Sequence, residues 1–107
     1  MDIIIRPSDT QQQRELLKAV YSRLTAMKPK KRYTLAEITG DDYWDSTKGY
    51  HQSDGHCFAG LVRQGRVPFI EAGWVSCRHN AYRYTGWDYS LPGVPEPKLI
   101  YLDTEEE

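Results

Sequence analysis

The chain has 107 residues and a formal net charge of −1 at pH 7, with 27% charged and 12% aromatic residues. This length suits one domain with a modest core, and the aromatic content argues against full disorder. Two cysteines do not make a secreted disulfide framework, and no apolar run approaches the roughly 20 residues that span a membrane. We therefore expect a reduced, cytoplasmic protein that has no membrane partner.

The charges are distributed unevenly along the chain. Residues 11–33 carry seven basic residues against Glu15, whereas every charged residue in 34–45 is acidic. Residues 46–86 have a net charge of +3, and residues 87–107 have a net charge of −5 and end in an acidic tail. This distribution is typical of a local anion-binding face, although charges that simply solvate different surfaces explain it equally well.

The N-terminal segment predicts a short strand and then an amphipathic helix. Ile3–Ile5 has the composition of a strand. Ser8 and Gln11 fit a capping box, which predicts a helix that begins near Asp9 and ends near Met27. One face of this helix is apolar and consists of Leu16, Leu17, Val20, Tyr21 and Leu24.

The next segment predicts a basic linker and a short second helix. Residues 28–33 have the sequence KPKKRY and are expected to form the linker. Thr34 and Glu37 make a second capping box, so a helix of about two turns is expected to follow and to end at Gly40. The polar stretch after it has no clean period, and a further helical turn is an option at residues 42–47.

A third helix and a hairpin follow. Ser53 or Asp54 can cap the helix and Gly65 can end it. Residues 67–72 and 81–85 are predicted strands, joined by a long loop. We expect one buried cluster drawn from the three helices and the first hairpin strand: Leu16, Val20, Leu24, Leu35, Ile38, Phe58, Leu61, Val62 and Ile70. Prolines break the chain after Gly86, and residues 98–102 are expected to form a strand beside Ile3–Ile5.

The order helix, short helix, helix and hairpin resembles the winged helix-turn-helix family, and in particular small bacteriophage and prophage winged-helix proteins. The matching segments are Thr34–Gly40, Ser53–Gln64, Gly65–Ile70 and Asn80–Tyr84. The link between the second and third helices is longer than the 3–4-residue turn of a compact helix-turn-helix. The resemblance implies an α+β, three-helix fold with a two-stranded β-hairpin wing. It covers residues 11–86, between an N-terminal arm at 1–10 and an extension at 87–107.

The resemblance also implies binding of double-stranded DNA by a small regulator or accessory factor. The third helix would enter the major groove, and the wing would contact phosphates or the minor groove. The side chains expected to bind DNA are His56, Arg63, Gln64, Arg66, Arg78, His79, Asn80, Lys30, Lys31 and Arg32. Gly55, Ala59 and Gly60 add no donor to the third helix, and we favour tight packing against the first helix over close approach to a DNA backbone.

Metal binding and catalysis have weaker support. His51, His56, Cys57, Cys77 and His79 offer nominal zinc ligands, but their spacing matches no standard finger. Adjacent residues on a helix point about 100° apart, which suits His56 and Cys57 poorly as shared ligands. We therefore expect no metal and no cofactor, with Cys57 as a small core residue. No defensible nucleophile and base spacing occurs, so we do not expect an enzyme.

A second function remains open, namely a winged helix that binds a host or phage protein and does not touch DNA. Aromatic residues at the hairpin support it, because Trp and Tyr are favoured anchors of protein interfaces. Trp74 and the wing would form that surface. Tyr82 and Tyr84 share one face of their strand, and we expect this face to complete the core.

Overall fold

The structure is a computed structural model that describes residues 2–74 and 80–103. Residues 72–74, 80 and 81 are described by their backbone alone. Within these ranges the chain forms four α-helices, five β-strands and a 3-10 turn. The helices are α1 (Gln11–Arg23), α2 (Leu35–Thr39), α3 (Asp41–Ser46) and α4 (His51–Arg63), and the 3-10 turn at Leu24–Ala26 follows α1. The strands are β1 (Asp2–Ile5), β2 (Arg32–Thr34), β3 (Ile70–Trp74), β4 (Asn80–Tyr84) and β5 (Lys98–Tyr101). The predicted α+β class is confirmed. No helix in the described ranges is long and apolar enough to cross a membrane.

Capping boxes open α1 and α2. The Thr34 hydroxyl accepts the Glu37 N–H and the Glu37 carboxylate accepts the Thr34 N–H, as the sequence predicts. At α1 the prediction was two residues early, because the cap is Thr10 and its partner is Gln13. The intervening Asp9 uses its carboxylate elsewhere, since it accepts the backbone N–H of Arg6 and is therefore part of the preceding turn.

The number of helices differs from the prediction, because α3 is a separate helix. Gly40 has a φ of 88°, a left-handed conformation that suits glycine and redirects the chain between α2 and α3. Asp41 and Asp42 occupy the first turn of α3, where the helix dipole favours acidic side chains. Tyr43 and Trp44 then pack against the core, so the polar stretch becomes ordered by its two aromatic residues.

The hairpin is part of a three-stranded antiparallel sheet with the order β2–β4–β3. Arg32 and Tyr33 were predicted as linker and Thr34 as a helix cap, but these three residues pair with β4 and bring Tyr33 opposite Tyr82. Such a short strand shows no hydrophobic period. The first hairpin strand lies later than predicted, because residues 67–70 form a turn closed by the Ile70 N–H on the Val67 carbonyl at 3.0 Å. The second strand begins and ends one residue earlier than predicted. The connection between β3 and β4 shortens to residues 75–79, outside the described residues.

A second sheet joins the chain ends. β1 and β5 pair in parallel with Ile3 opposite Leu99, which confirms the expected pairing of these segments. Ile3 and Ile5 are fully buried. Residues at both ends of the chain therefore pack on the same core as the helices.

One apolar core is shared by the helices and both sheets. The predicted cluster is confirmed, except that Val62 is half-buried at its margin: Leu16, Val20, Leu24, Leu35, Ile38, Phe58, Leu61 and Ile70 are all buried. Tyr82 and Tyr84 are buried on the inward face of β4, also as expected. The Tyr82 ring meets Phe58 of α4 edge-on at 4.9 Å between centroids, a favourable aromatic geometry that seats α4 on the sheet.

Candidate nucleic-acid interface

The outer face of α4 is polar at both ends and small in the middle. Phe58 and Leu61 point into the core. At 100° per residue, Gln52, His56 and Arg63 fall within about 40° of one another on the opposite side. All three are exposed. We call Gln52, Gly55, His56, Ala59, Gly60 and Arg63 the outer face of α4.

The small residues of this face meet almost nothing. Apart from the backbone of α4 itself, a Cβ built on Gly55 has no heavy atom of the described residues within 4 Å, and among the same residues one built on Gly60 meets only the Arg63 guanidinium, at 3.8 Å. The expectation that these glycines pack tightly against the first helix is therefore wrong. α1 instead contacts α4 around Gln12 and Asp54. Both glycines are half-buried, and the space beside them is open apart from the Arg63 side chain at Gly60, so another molecule can approach the helix at these two margins of the face.

Replacing Gly55 with Ala is expected to stabilise the protein by about 0.5–1 kcal/mol, because Ala has the better helix propensity and the space is open. Gly65→Ala is the matched control. A Cβ at Gly65 also meets nothing, but its φ of 72° disfavours any side chain, so Ala there should destabilise by about 1 kcal/mol. Urea unfolding measures both changes. A destabilising Gly55→Ala would mean that this face is packed.

A buried carboxylate on the inner side of α4 bonds this helix to its neighbours. Asp54 was predicted as a cap of this helix, but α4 begins three residues earlier and Asp54 is 1% exposed. Its Oδ1 accepts hydrogen bonds from Gln12 Nε2 at 2.9 Å and from the Tyr43 hydroxyl at 3.3 Å. Burial and the Asp54 charge raise the pKa of Tyr43, so Tyr43 stays a neutral donor. Asp54 thus ties α1, α3 and α4 together and fixes the orientation of the outer face.

A groove of about 540 Å³ runs along one side of this face. Its lining residues come from α2, α3, α4 and β4, and are Thr34, Leu35, Ala36, Trp44, His51, Gln52, Gly55, His56, Ala59 and Tyr82. The His51 ring stacks on Trp44 with a centroid distance of 3.6 Å and donates its Nε2–H to the Trp44 carbonyl at 2.8 Å. Neither this pair nor Gln52 was predicted for the site, because the predicted helix began only at Ser53 or Asp54.

Arg66 was expected to bind DNA, but its guanidinium is held inside the protein. Nη1 and Nη2 donate to the two Asp9 oxygens at 2.9 and 2.6 Å, and Nη2 also donates to the Ile4 carbonyl at 2.9 Å. Both side chains of the pair are buried. Burial raises the pKa of Asp9, but the hydrogen bonds and charge of Arg66, together with the Arg6 N–H, outweigh it and hold this pKa below its ordinary value. We therefore leave Arg66 out of the interface.

The end of α4 explains why Arg66 turns inward. The Gly65 N–H donates to the Val62 carbonyl and the Arg66 N–H to the Leu61 carbonyl, at 3.1 and 3.0 Å. This pair of bonds is a Schellman motif, with Gly65 at its left-handed position as the sequence predicts. The chain therefore reverses immediately after Arg63 and Gln64, which both stay exposed.

The basic segment lies at the base of the hairpin. Lys30, Lys31 and Arg32 are exposed, and the Lys30 N–H and Lys31 carbonyl bond to the backbone of Tyr84, at the end of β4. Arg32 faces Arg83 across the β2–β4 pair, on the side away from the buried tyrosines. Because Tyr84 is the last residue of β4 and the hairpin connection joins its first, this basic cluster is at the opposite end of the hairpin from residues 75–79.

Several residues of the predicted site fall in or beside the undescribed connection. Cys77, Arg78 and His79 lie outside the described residues, and Asn80 is described only by its backbone, which pairs with Trp74. In the described ranges, no group of three or more His, Cys, Asp or Glu side chains is placed to hold a metal. Cys57 is half-buried and packs against the core, and burial raises the pKa of its thiol. The expectations for metal stay predictions.

The outer face presents hydrogen-bond donors and acceptors along one exposed stripe of a helix, with small, half-buried residues beside them. A helix with these properties can read base edges or lie against another flat surface. Comparison of the chain with protein-family models, with curated proteins and with solved structures finds no match.

Proposed function

We propose that the protein is a winged helix-turn-helix domain that binds double-stranded DNA with the outer face of α4 in the major groove. The observation that carries the proposal is the exposed stripe of Gln52, His56 and Arg63, flanked by open space for a Cβ at Gly55 on one side and at Gly60 on the other. A major groove admits an α-helix, and small residues at the contact let the helix approach closely. A regulator or accessory factor is the role we infer, given the resemblance to small phage and prophage proteins.

The topology supports this reading. The sheet order β2–β4–β3 ties the hairpin to the segment between α1 and α2, and α4 packs on the same sheet through Phe58 and Tyr82. The described hairpin strands and α4 therefore pack together. In the proposed complex the connection at residues 75–79, with Arg78 and His79, acts as the wing.

Side chains at both ends of the outer face supply the contacts. His56 and Gln52 lie in the first half of α4 and suit base edges or phosphates, while Arg63 and Gln64 lie at its end. Lys30 and Lys31, at the base of the hairpin, would supply phosphate contacts. Arg32 and Arg83 lie on the sheet face away from α4, so they would add to the local positive potential without contacting the same DNA. A protein with net charge −1 can bind DNA in this way because the positive charges are local.

Arg63→Ala is expected to weaken binding to all duplex sequences and to reduce the slope of log K against log salt by about one unit, because one phosphate contact is lost. Fluorescence anisotropy with a mixed-sequence duplex, starting at about 50 mM salt, measures both quantities. Lys18→Ala is the matched control, since it removes one charge from the exposed side of α1. Equal losses for the two variants would show that Arg63 makes no specific contact.

The groove beside α4 favours one other function, the binding of a protein partner. Its walls are partly apolar, with Trp44, Leu35 and Tyr82 among the lining residues. An interface of this kind would show little dependence on salt and little affinity for duplex at low salt. Trp44→Ala distinguishes the two functions, because it would disrupt partner binding in the groove and leave the Arg63-dependent salt slope intact.

A further inference from the structure

The sheet formed by β1 and β5 is small and open. Two-stranded sheets are only marginally stable, and parallel strands are usually covered on both faces. Here the inner face packs on the core through Ile3 and Ile5, whereas on the outer face Ile4 is 37% exposed beside its register partner Ile100. This sheet is therefore smaller and less covered than parallel strands normally are.

The edge of β1 that faces away from β5 already contacts another part of the chain. The Leu102 N–H donates to the Ile5 carbonyl at 2.9 Å, so the backbone groups of Ile5 face β5. Because successive residues of a strand alternate, those of Ile4 face the opposite edge. At that edge Arg66 Nη2 donates to the Ile4 carbonyl. No further strand can pair there without breaking this contact.

The free edge of β5 is different. The same alternation turns the N–H and carbonyl groups of Leu99 and Tyr101 away from β1. Within residues 2–74 and 80–103, neither residue makes any other backbone hydrogen bond. The Tyr101 ring is 56% exposed. An edge with free backbone groups and an exposed aromatic side chain is a template for another strand.

We propose that β5 pairs with β5 of a second copy of this chain, in antiparallel orientation, to join the two sheets into one of four strands. A two-fold axis at Ile100 makes the edge complementary to itself. Leu99 then lies opposite Tyr101 of the second copy. Because the backbone groups of both residues point outward, each such pair exchanges both of its hydrogen bonds.

The side chains favour a second copy as the occupant. Leu99 and Tyr101 lie on the same face of β5, so the exposed Tyr101 ring gains the half-buried Leu99 of the second copy as a cross-strand neighbour. Lys98 comes opposite Leu102 of the second copy, one residue from its exposed Asp103, where the acidic C-terminal sequence begins. The ends of the two strands therefore carry complementary charges. This inference is independent of DNA binding.

Sedimentation velocity on the full chain, up to about 1 mM protein, tests the proposal. The dimer fraction should rise with concentration for the natural sequence. Tyr101→Pro removes the N–H that points away from β1 and leaves the hydrogen bonds between β1 and β5 intact. Edge strands tolerate proline at such a position. This variant should therefore stay folded and monomeric. Tyr101→Thr is the matched control: it also removes the ring but keeps the N–H, and it should still dimerise, with lower affinity.

Two results would overturn the proposal. One is a natural sequence that remains monomeric over the whole range, and the other is a Tyr101→Pro variant that dimerises as well as Tyr101→Thr. Circular dichroism checks that Tyr101→Pro is folded. If it is unfolded, Lys98→Glu replaces it, because reversing this charge should weaken the dimer several-fold at low salt and less at high salt. An unchanged dimer in Lys98→Glu would equally overturn the proposal.

Discussion

Replacing Arg66 with Ala should lower the free energy of unfolding by about 3–5 kcal/mol, because it leaves the Asp9 carboxylate buried without its partner. Asp9 and Arg66 are 3% and 6% exposed and make two hydrogen bonds with each other. Domains of this size are stable by only about 5–15 kcal/mol. The variant should therefore lose a large fraction of this stability, as measured by urea denaturation followed by circular dichroism.

Two further variants make this prediction specific. Arg63→Ala removes the same charge from an exposed position and should change stability by no more than about 0.5 kcal/mol. Asp9→Asn combined with Arg66→Ala should recover part of the loss, since no charge is then buried alone. Arg66→Ala and Arg63→Ala variants of equal stability would contradict the importance of this ion pair.

The dependence of the free energy of unfolding on pH, at acid pH, gives an independent measure of how much the Asp9–Arg66 pair stabilises the protein. The pKa of Asp9 is lower in the folded protein than its ordinary value of 3.8. The stability that this group contributes is therefore fully present above that value, and is lost as the pH falls through the lower folded pKa.

Replacing Gly60 with Glu should abolish most DNA binding, with a loss of affinity of at least about tenfold, or 1.4 kcal/mol. The new carboxylate would lie on the outer face of α4 beside the Arg63 guanidinium, which is 3.8 Å from a Cβ built at this position. There it would repel phosphates and pair with the Arg63 guanidinium at a spacing of i, i+3. Anisotropy titrations measure the loss at low salt.

Gly60→Gln is the control for size. Glutamine has nearly the same shape and no charge, so its effect isolates the volume added to the face. Both variants should be slightly more stable than the natural sequence, because glycine is a poor helix former. Equal affinities of the Glu and Gln variants for duplex would place the DNA away from this face.

The fold could be predicted from the sequence where local signals are strong. The amphipathic period of α1, the Thr34 capping box and the Gly65 cap each rest on residues close in the chain, and all three are confirmed. β2 could not be predicted in this way. Its three residues show no period, and it becomes a strand because β4 supplies its hydrogen bonds.

The candidate site was harder to predict because exposure depends on tertiary contacts. Arg66 and Asp54 are charged residues next to a predicted recognition helix, which favours a surface role in any reading of the sequence. Their burial depends on distant partners, Asp9 for one and Gln12 with Tyr43 for the other. The prediction that Gly55 and Gly60 pack against the first helix was wrong because a small residue in a helix is compatible both with close packing and with open space.

Amide NMR of the isotope-labelled protein, titrated with a mixed-sequence duplex at about 50 mM salt, tests the DNA-binding proposal most directly. Non-specific binding is strongest at low salt, so even weak contacts should be visible. We predict shifts at the outer face of α4, with Gln52, His56, Gly60 and Arg63 among the largest, and reversal of these shifts as salt is raised. No binding at tens of micromolar protein, or shifts that leave α4 unaffected, would contradict it.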